Sequence, residues 1–236
     1  MKRWKYAAGA ALLLAALACA LFGSLGYDAG AAAGAIMEGR TEQGGAAVFT
    51  PEGEPIAGMI FYPGGLVDHA AYAPLMQELA DRGLLCLLPK MPLDLAVLRV
   101  DAADGLAQRY PDIRHWLIGG HSLGGAMAAE YASKHAQAFD GLVLLGAYSA
   151  ADLAESSMRV LSIYGTEDGV LNREKYENSR QNYPEAFEEM AIEGGNHAQF
   201  GDYGAQKGDG IAKISGREQM QRTADAIAAF ASASRQ

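Results

Sequence analysis

Ser122, Asp168 and His197 are the residues whose types and order could do chemistry together. A serine hydroxyl hardly ionises at neutral pH, so it becomes a nucleophile only when an imidazole takes its proton and a carboxylate fixes the imidazole tautomer. The serine sits in Gly120-His121-Ser122-Leu123-Gly124, between the apolar residues 116–118 and an Ala-rich stretch over 126–132. A strand running into a helix through such a turn holds the serine in a strained conformation with its hydroxyl exposed. The plain alternative is a glycine-rich turn whose serine caps the helix.

Of the five histidines, His115 begins a predicted strand and His135 ends a predicted helix, which makes both surface groups. His121 neighbours the serine and is expected to point to the opposite side. His69 follows an early strand near the mouth of the site and is a candidate to contact substrate. His197, in Gly194-Gly195-Asn196-His197, follows the last strand in a loop flexible enough to reach the serine, and is the expected base. For the acid, Asp168 in Gly165-Thr166-Glu167-Asp168-Gly169 is preferred over Asp152, with Glu167 facing away. Two donors are then needed for an oxyanion. Leu123 N–H, at the positive end of the helix, supplies one. The other is assigned to the loop Pro63-Gly64-Gly65-Leu66, with Gly65 first and Leu66 second; Leu66 is also a candidate substrate contact. Tyr72, Tyr148, Phe200 and Tyr203 are the aromatic candidates for the mouth, Tyr148 and Phe200 foremost.

The elements that must position these groups alternate. Residues 46–50 and 58–62 read as a first strand pair around a Pro51-Glu52-Gly53 turn. A helix over 72–82 ends at Gly83, and 84–88 is a continuous apolar run typical of a strand covered on both faces. Residues 95–110 suit a helix stopping before Pro111. Strand 115–118, helix 123–135, strands 141–145 and 159–164, helix 172–182, strand 187–192 and helix 218–231 complete the series. This alternation predicts an α/β fold, a mainly parallel sheet with helices on both faces and reactive groups at the carboxyl ends of the strands.

Half of the 236 residues are apolar and a fifth are charged, as in an ordinary globular protein. A net charge of −9 argues against nucleic acid or an anionic surface as partner. Two cysteines, Cys19 and Cys86, offer neither a metal site nor an expected disulfide. At the N-terminus, Lys2, Arg3 and Lys5 precede an uncharged stretch over 6–27. As a helix it would extend roughly 33 Å, close to the hydrocarbon thickness of a bilayer. It reads as a hydrophobic membrane anchor that leaves the rest of the chain extracytoplasmic. A cleaved signal peptide ending near Ala18-Cys19-Ala20 competes, and a lipid-modified Cys19 fits less well. The expected organisation is thus anchor or signal segment 1–27, connector 28–45 and catalytic domain 46–236.

Taken together, Phe61-Tyr62-Pro63-Gly64-Gly65, Gly120-His121-Ser122-Leu123-Gly124, Asp168 and Gly195-Asn196-His197 resemble the α/β-hydrolase superfamily over about residues 46–232. The likeness is greatest to compact dienelactone hydrolase-like proteins and small carboxylesterases, although dienelactone hydrolases typically carry cysteine at the Ser122 position. Many relatives have His-Gly where this chain has Pro63-Gly64. The loop with Phe200-Gly201-Asp202-Tyr203-Gly204 and Gly208-Asp209-Gly210 is also similar to a subgroup of bacterial α/β-hydrolases. The resemblance implies an α/β-hydrolase fold and a serine hydrolase of small carboxylic esters, needing no metal or organic cofactor. Only residues 146–158 separate the strands between which larger relatives insert a lid, so an uncapped, shallow site is expected. Acyl transfer to a cell-envelope acceptor, or a non-catalytic envelope-binding module, are the alternative functions.

Overall fold

A computed structural model describes residues 26–233. Eight strands form one sheet: β1 (Glu42–Gln43), β2 (Ala46–Phe49), β3 (Ala57–Tyr62), β4 (Leu84–Pro89), β5 (Trp116–His121), β6 (Gly141–Leu145), β7 (Arg159–Gly165) and β8 (Phe187–Ile192). Their spatial order is β1-β2-β4-β3-β5-β6-β7-β8. β1 and β2 run antiparallel to their neighbours, and the pairs from β4 through β8 are parallel. Helices α1 (Ala31–Met37), α2 (Ala73–Ala80), α3 (Leu123–Lys134), α4 (Arg173–Ser179) and α5 (Gly216–Ala233) accompany the sheet.

Strand periodicity divides the core. Met59, Phe61, Leu117, Val143 and Ile163 pack with residues of α2 and α5, while Ile60, Tyr62, Ile118, Leu142 and Val160 pack with residues of α3. All six residues of β3, β4 and β5 are buried, as strands covered on both faces require. Each fully buried leucine in such a strand contributes about 1.5–3 kcal/mol relative to exposure. Along β5 the same alternation sends His121 toward the α2–α5 side and leaves Ser122 to turn toward α3.

Two expectations are corrected. Strands 46–49 and 57–62 are not a hairpin: β2 pairs with β4, and β4 lies between them. A fully apolar β3 stabilises the fold most with a neighbour on each side, and the two parallel neighbours β4 and β5 supply them. Residues 95–110 form short 3₁₀ turns rather than a helix. Arg99 breaks the spiral at φ −153°, and Tyr62 holds the segment from outside, donating to Val100 O (2.7 Å) and accepting from Ala103 N (2.9 Å). Residues 28–45, read as a connector, are not without structure. They carry α1 and β1, and Asp202 fastens α1 by accepting from Ala33 N at 3.0 Å. Segment 146–158 carries no helix or strand. Among the described residues no helix is long and apolar enough to cross a membrane. The hydrophobic run expected there falls outside them, save Gly26 and Tyr27.

Candidate active site

Ser122 joins β5 to α3 at φ 52° and ψ −124°, a backbone region that costs a non-glycine residue of order 1–3 kcal/mol. The turn is locked from both sides. Ser122 N donates to Leu145 O at 2.9 Å, and Ser122 O accepts from Ala126 N at 3.1 Å. Gly124 lies so close to the backbone after β3 that a Cβ there would overlap Pro63 O. The serine hydroxyl makes no capping bond to α3, so the plain helix-cap reading is not what this turn does.

Asp168 and His197 meet as a buried pair, with His197 Nδ1 2.8 Å from Asp168 Oδ2. The other carboxylate oxygen, Oδ1, accepts from Val170 N (2.9 Å) and Leu171 N (2.8 Å). With Oδ1 occupied in this way, Oδ2 is aimed at the imidazole. A carboxylate at Nδ1 places the Nδ1 proton, leaving Nε2 as a basic nitrogen. His197 Nε2 is buried with no partner among the described residues. Ser122 and His197 both line one cavity of about 280 Å³, walled further by Leu123, Met127, Tyr148 and Leu171. No hydrogen bond joins the hydroxyl to Nε2 in this form. Such bonds are commonly loose before substrate enters.

Gly146, between β6 and segment 147–158, faces this pair at φ 52°. A Cβ there would lie 2.9 Å from His197 Nδ1 and 3.1 Å from Asp168 Oδ2.

The donor candidates separate. Leu66 N–H is spent on Asp94 O at 2.8 Å, and Gly64 N–H on Tyr72 Oη at 3.0 Å. Gly65 N–H and Leu123 N–H have no partner among the described residues, and the Gly65 α-carbon faces the Leu123 side chain.

Several expected contacts are not brought to the cavity. His69 pairs with Asp68 (3.0 Å) and lies outside the cavity wall, as does Leu66. Phe200, Tyr72 and Tyr203 are buried packing groups, and of the four aromatic candidates Tyr148 alone reaches the Ser122 cavity. Asp152 is exposed and bonded to Ala154 N, away from His197. Glu167 turns outward to Lys213.

His121 does leave the serine's side of the sheet, but there it packs behind His197, ring centres 4.4 Å apart. Its Nδ1 lies 2.7 Å from Tyr72 Oη. Burial above all, and then the neighbouring His197, pushes its pKa well below the usual histidine value; the His197 carbonyl opposes this. His121 therefore stays neutral. Thus Gly64, Tyr72 and His121 form one buried chain linking the loop after β3 to the serine turn.

Asp209 and Gln219 also support the site, and neither was singled out by its type or spacing. Asp209 accepts from His197 N (3.2 Å), Ala198 N (2.8 Å) and Gly169 N (3.1 Å), tying the turn of the acid to the loop of the imidazole. Gln219, reaching from α5, brackets Asn196 through its N–H (2.9 Å) and carbonyl (2.8 Å). The Gly208-Asp209-Gly210 string was the one available signal.

A search of curated proteins finds no match to this sequence. Among solved structures the chain is similar to the esterase domain of a Rhodothermus marinus protein, at 13% identity and TM-score 0.61, covering 79% of this chain and 91% of that one. It is also similar to Est1E from Butyrivibrio proteoclasticus, at 14% identity and TM-score 0.58, covering 78% and 91%. A thermophilic esterase from Thermogutta terrifontis follows at 14% identity and TM-score 0.57, covering 78% and 92%. Identities this low speak for the shared fold alone. A family model described as alpha/beta hydrolase family matches residues 58–221. That span holds the Ser122 turn, Asp168 and His197 on strand ends of the sheet order described above, and the chain belongs to the alpha/beta hydrolase family.

Proposed function

We propose that this chain is a serine hydrolase of small carboxylic esters. One observation carries the reading: a strained Ser122 and a buried Asp168–His197 pair with an unpartnered Nε2 share one cavity. In the proposed cycle Ser122 Oγ attacks the ester carbonyl carbon while its proton passes to His197 Nε2. The carbonyl oxygen takes up the negative charge, and the N–H groups of Leu123 and Gly65 receive it. Collapse expels the alcohol, which takes the proton from Nε2 and leaves an acyl ester on Ser122. Water then repeats the sequence, releasing the carboxylic acid and restoring the serine. Asp168 stabilises the imidazolium formed in each half. No step calls for a metal or organic cofactor.

The size of the cavity favours a small acyl group, since about 280 Å³ is just below the range of about 300–1,000 Å³ typical of drug-sized ligands. The three esterase-fold neighbours are compatible with ester chemistry. A panel of p-nitrophenyl esters of increasing acyl length tests the reading. Acetate and butyrate should give the highest kcat/KM, and a preference for long chains contradicts it.

A further inference from the structure

The four large apolar side chains more than half exposed among the described residues are Leu93 (55%), Val97 (52%), Leu98 (55%) and Ile211 (90%). Three of them lie close together in the chain. Leu93, Val97 and Leu98 follow the carboxyl end of β4, the end of the sheet that carries the candidate site. Ile211 lies in the segment after His197, along a cavity that Gln77 and Met220 also line. Leu93 and Asp94 hold φ of 51° and 53° in succession, a strained pair at the base of this lip. Such strain persists only where the surroundings enforce it.

Both apolar segments connect to Tyr27, the first of them through Leu66. Tyr27 N donates to Leu66 O at 2.7 Å, and Leu66 N donates to Asp94 O at 2.8 Å, next to Leu93. On the other side Lys207 N donates to Tyr27 Oη at 3.1 Å, at the start of the segment bearing Ile211. Tyr27 is also where the uncharged run over 6–27 ends.

We infer that the face carrying the candidate site lies against a zwitterionic lipid bilayer, with Leu93, Val97 and Leu98 immersed in its interface near the residue at which the 6–27 run ends. The occupant follows from the chain outside the described residues: a run of membrane-spanning length and composition ends at Tyr27, one hydrogen-bonded residue away from the segment of Leu93 and Asp94. Exposed leucine and valine gain free energy there by leaving water. The net charge of −9 selects a zwitterionic rather than an anionic surface. The inference goes beyond ester hydrolysis and does not require Ser122 to be the nucleophile.

The test uses the full chain in phosphatidylcholine vesicles with brominated acyl chains, which quench tryptophan at the interface. Leu98→Trp, with Val97→Trp as a second probe, is compared with Gln137→Trp, an exposed site before β6 at the opposite end of the sheet. Fluorescence in excess of the wild type should fall at least twofold in brominated vesicles for the first two and stay unchanged for the third. Equal behaviour of all three, or a folded full chain that does not associate with the vesicles, overturns the inference. Leu93→Ser/Val97→Ser/Leu98→Ser should abolish no turnover of water-soluble esters. Quenching at position 98 in a chain without serine hydrolase activity would support the docking while removing the proposed chemistry.

Discussion

The two halves of the candidate site are built on different principles. The serine turn is held by shape: Ser122 is strained at φ 52°, and Gly124 packs against Pro63 O with no room for a methyl group. The acid–base half is held by hydrogen bonds. Asp168 accepts two backbone N–H groups and the imidazole, and Asp209 ties both loops with further acceptor contacts. Close packing fails abruptly when an atom is added, because interiors are filled like crystals. A network of several bonds loses its members one at a time. The serine turn should therefore be brittle and the acid–base loops graded.

Five substitutions, one of them read through a titration, sharpen that contrast. Asp168→Asn removes the charge that fixes the imidazole tautomer, and kcat should fall about 10⁴-fold with the fold intact. Gly124→Ala should be the most damaging for stability, costing about 1–3 kcal/mol of overpacking, read as a lowered urea midpoint. Gly146→Ala presses a methyl against the His197–Asp168 bond, and kcat should drop about 100-fold with a small change in KM. Tyr72→Phe keeps the ring but orphans Gly64 N–H and His121 Nδ1. A drop of about 10-fold in kcat, with faster hydrogen exchange at the Gly64 amide, is expected; wild-type values for both would detach this chain of bonds from the oxyanion loop.

The smallest effect is in stability against pH. His121 is depressed in the folded protein and titrates near its ordinary value, about 6.5, when unfolded. Below that value the unfolded chain binds a proton that the folded one refuses, so stability is full above about pH 6.5 and falls on acidification. The slope contributed is at most about 1.4 kcal/mol per pH unit until the folded group also titrates. His121→Asn, which can keep a partner for Tyr72 Oη, should flatten that acid limb in thermal melts; an unchanged limb would show that His121 is not its source.

The same contrast explains what could be read from the amino-acid order. Strand 141–145 is legible to the residue because an uninterrupted apolar run leaves few other folds, and the bounds of strand 187–192 agree as well, without such a run. The serine turn was legible because close packing demands glycine, and glycine is visible in a sequence. The loops of Asp168 and His197 were legible through their order after successive strands. The bonds that Asp209, Tyr72 and Gln219 make were not, since a hydrogen bond across the fold leaves no local pattern. Segment 95–110 misled for the related reason that its Ala and Leu spacing is helical, whereas Tyr62 from β3 and the extended Arg99 decide its path. The β2–β3 hairpin failed because turn residues at 51–53 say nothing of a strand, β4, that inserts later in the chain.

One measurement tests the central claim most directly: intact and peptide mass spectrometry of the folded chain after reaction with a fluorophosphonate. Departure of fluoride should leave a single phosphonyl group on Ser122, absent in Ser122→Ala and slowed in Asp168→Asn. A folded wild type that takes up no label, or carries it on another residue, contradicts the assignment of Ser122 as the nucleophile.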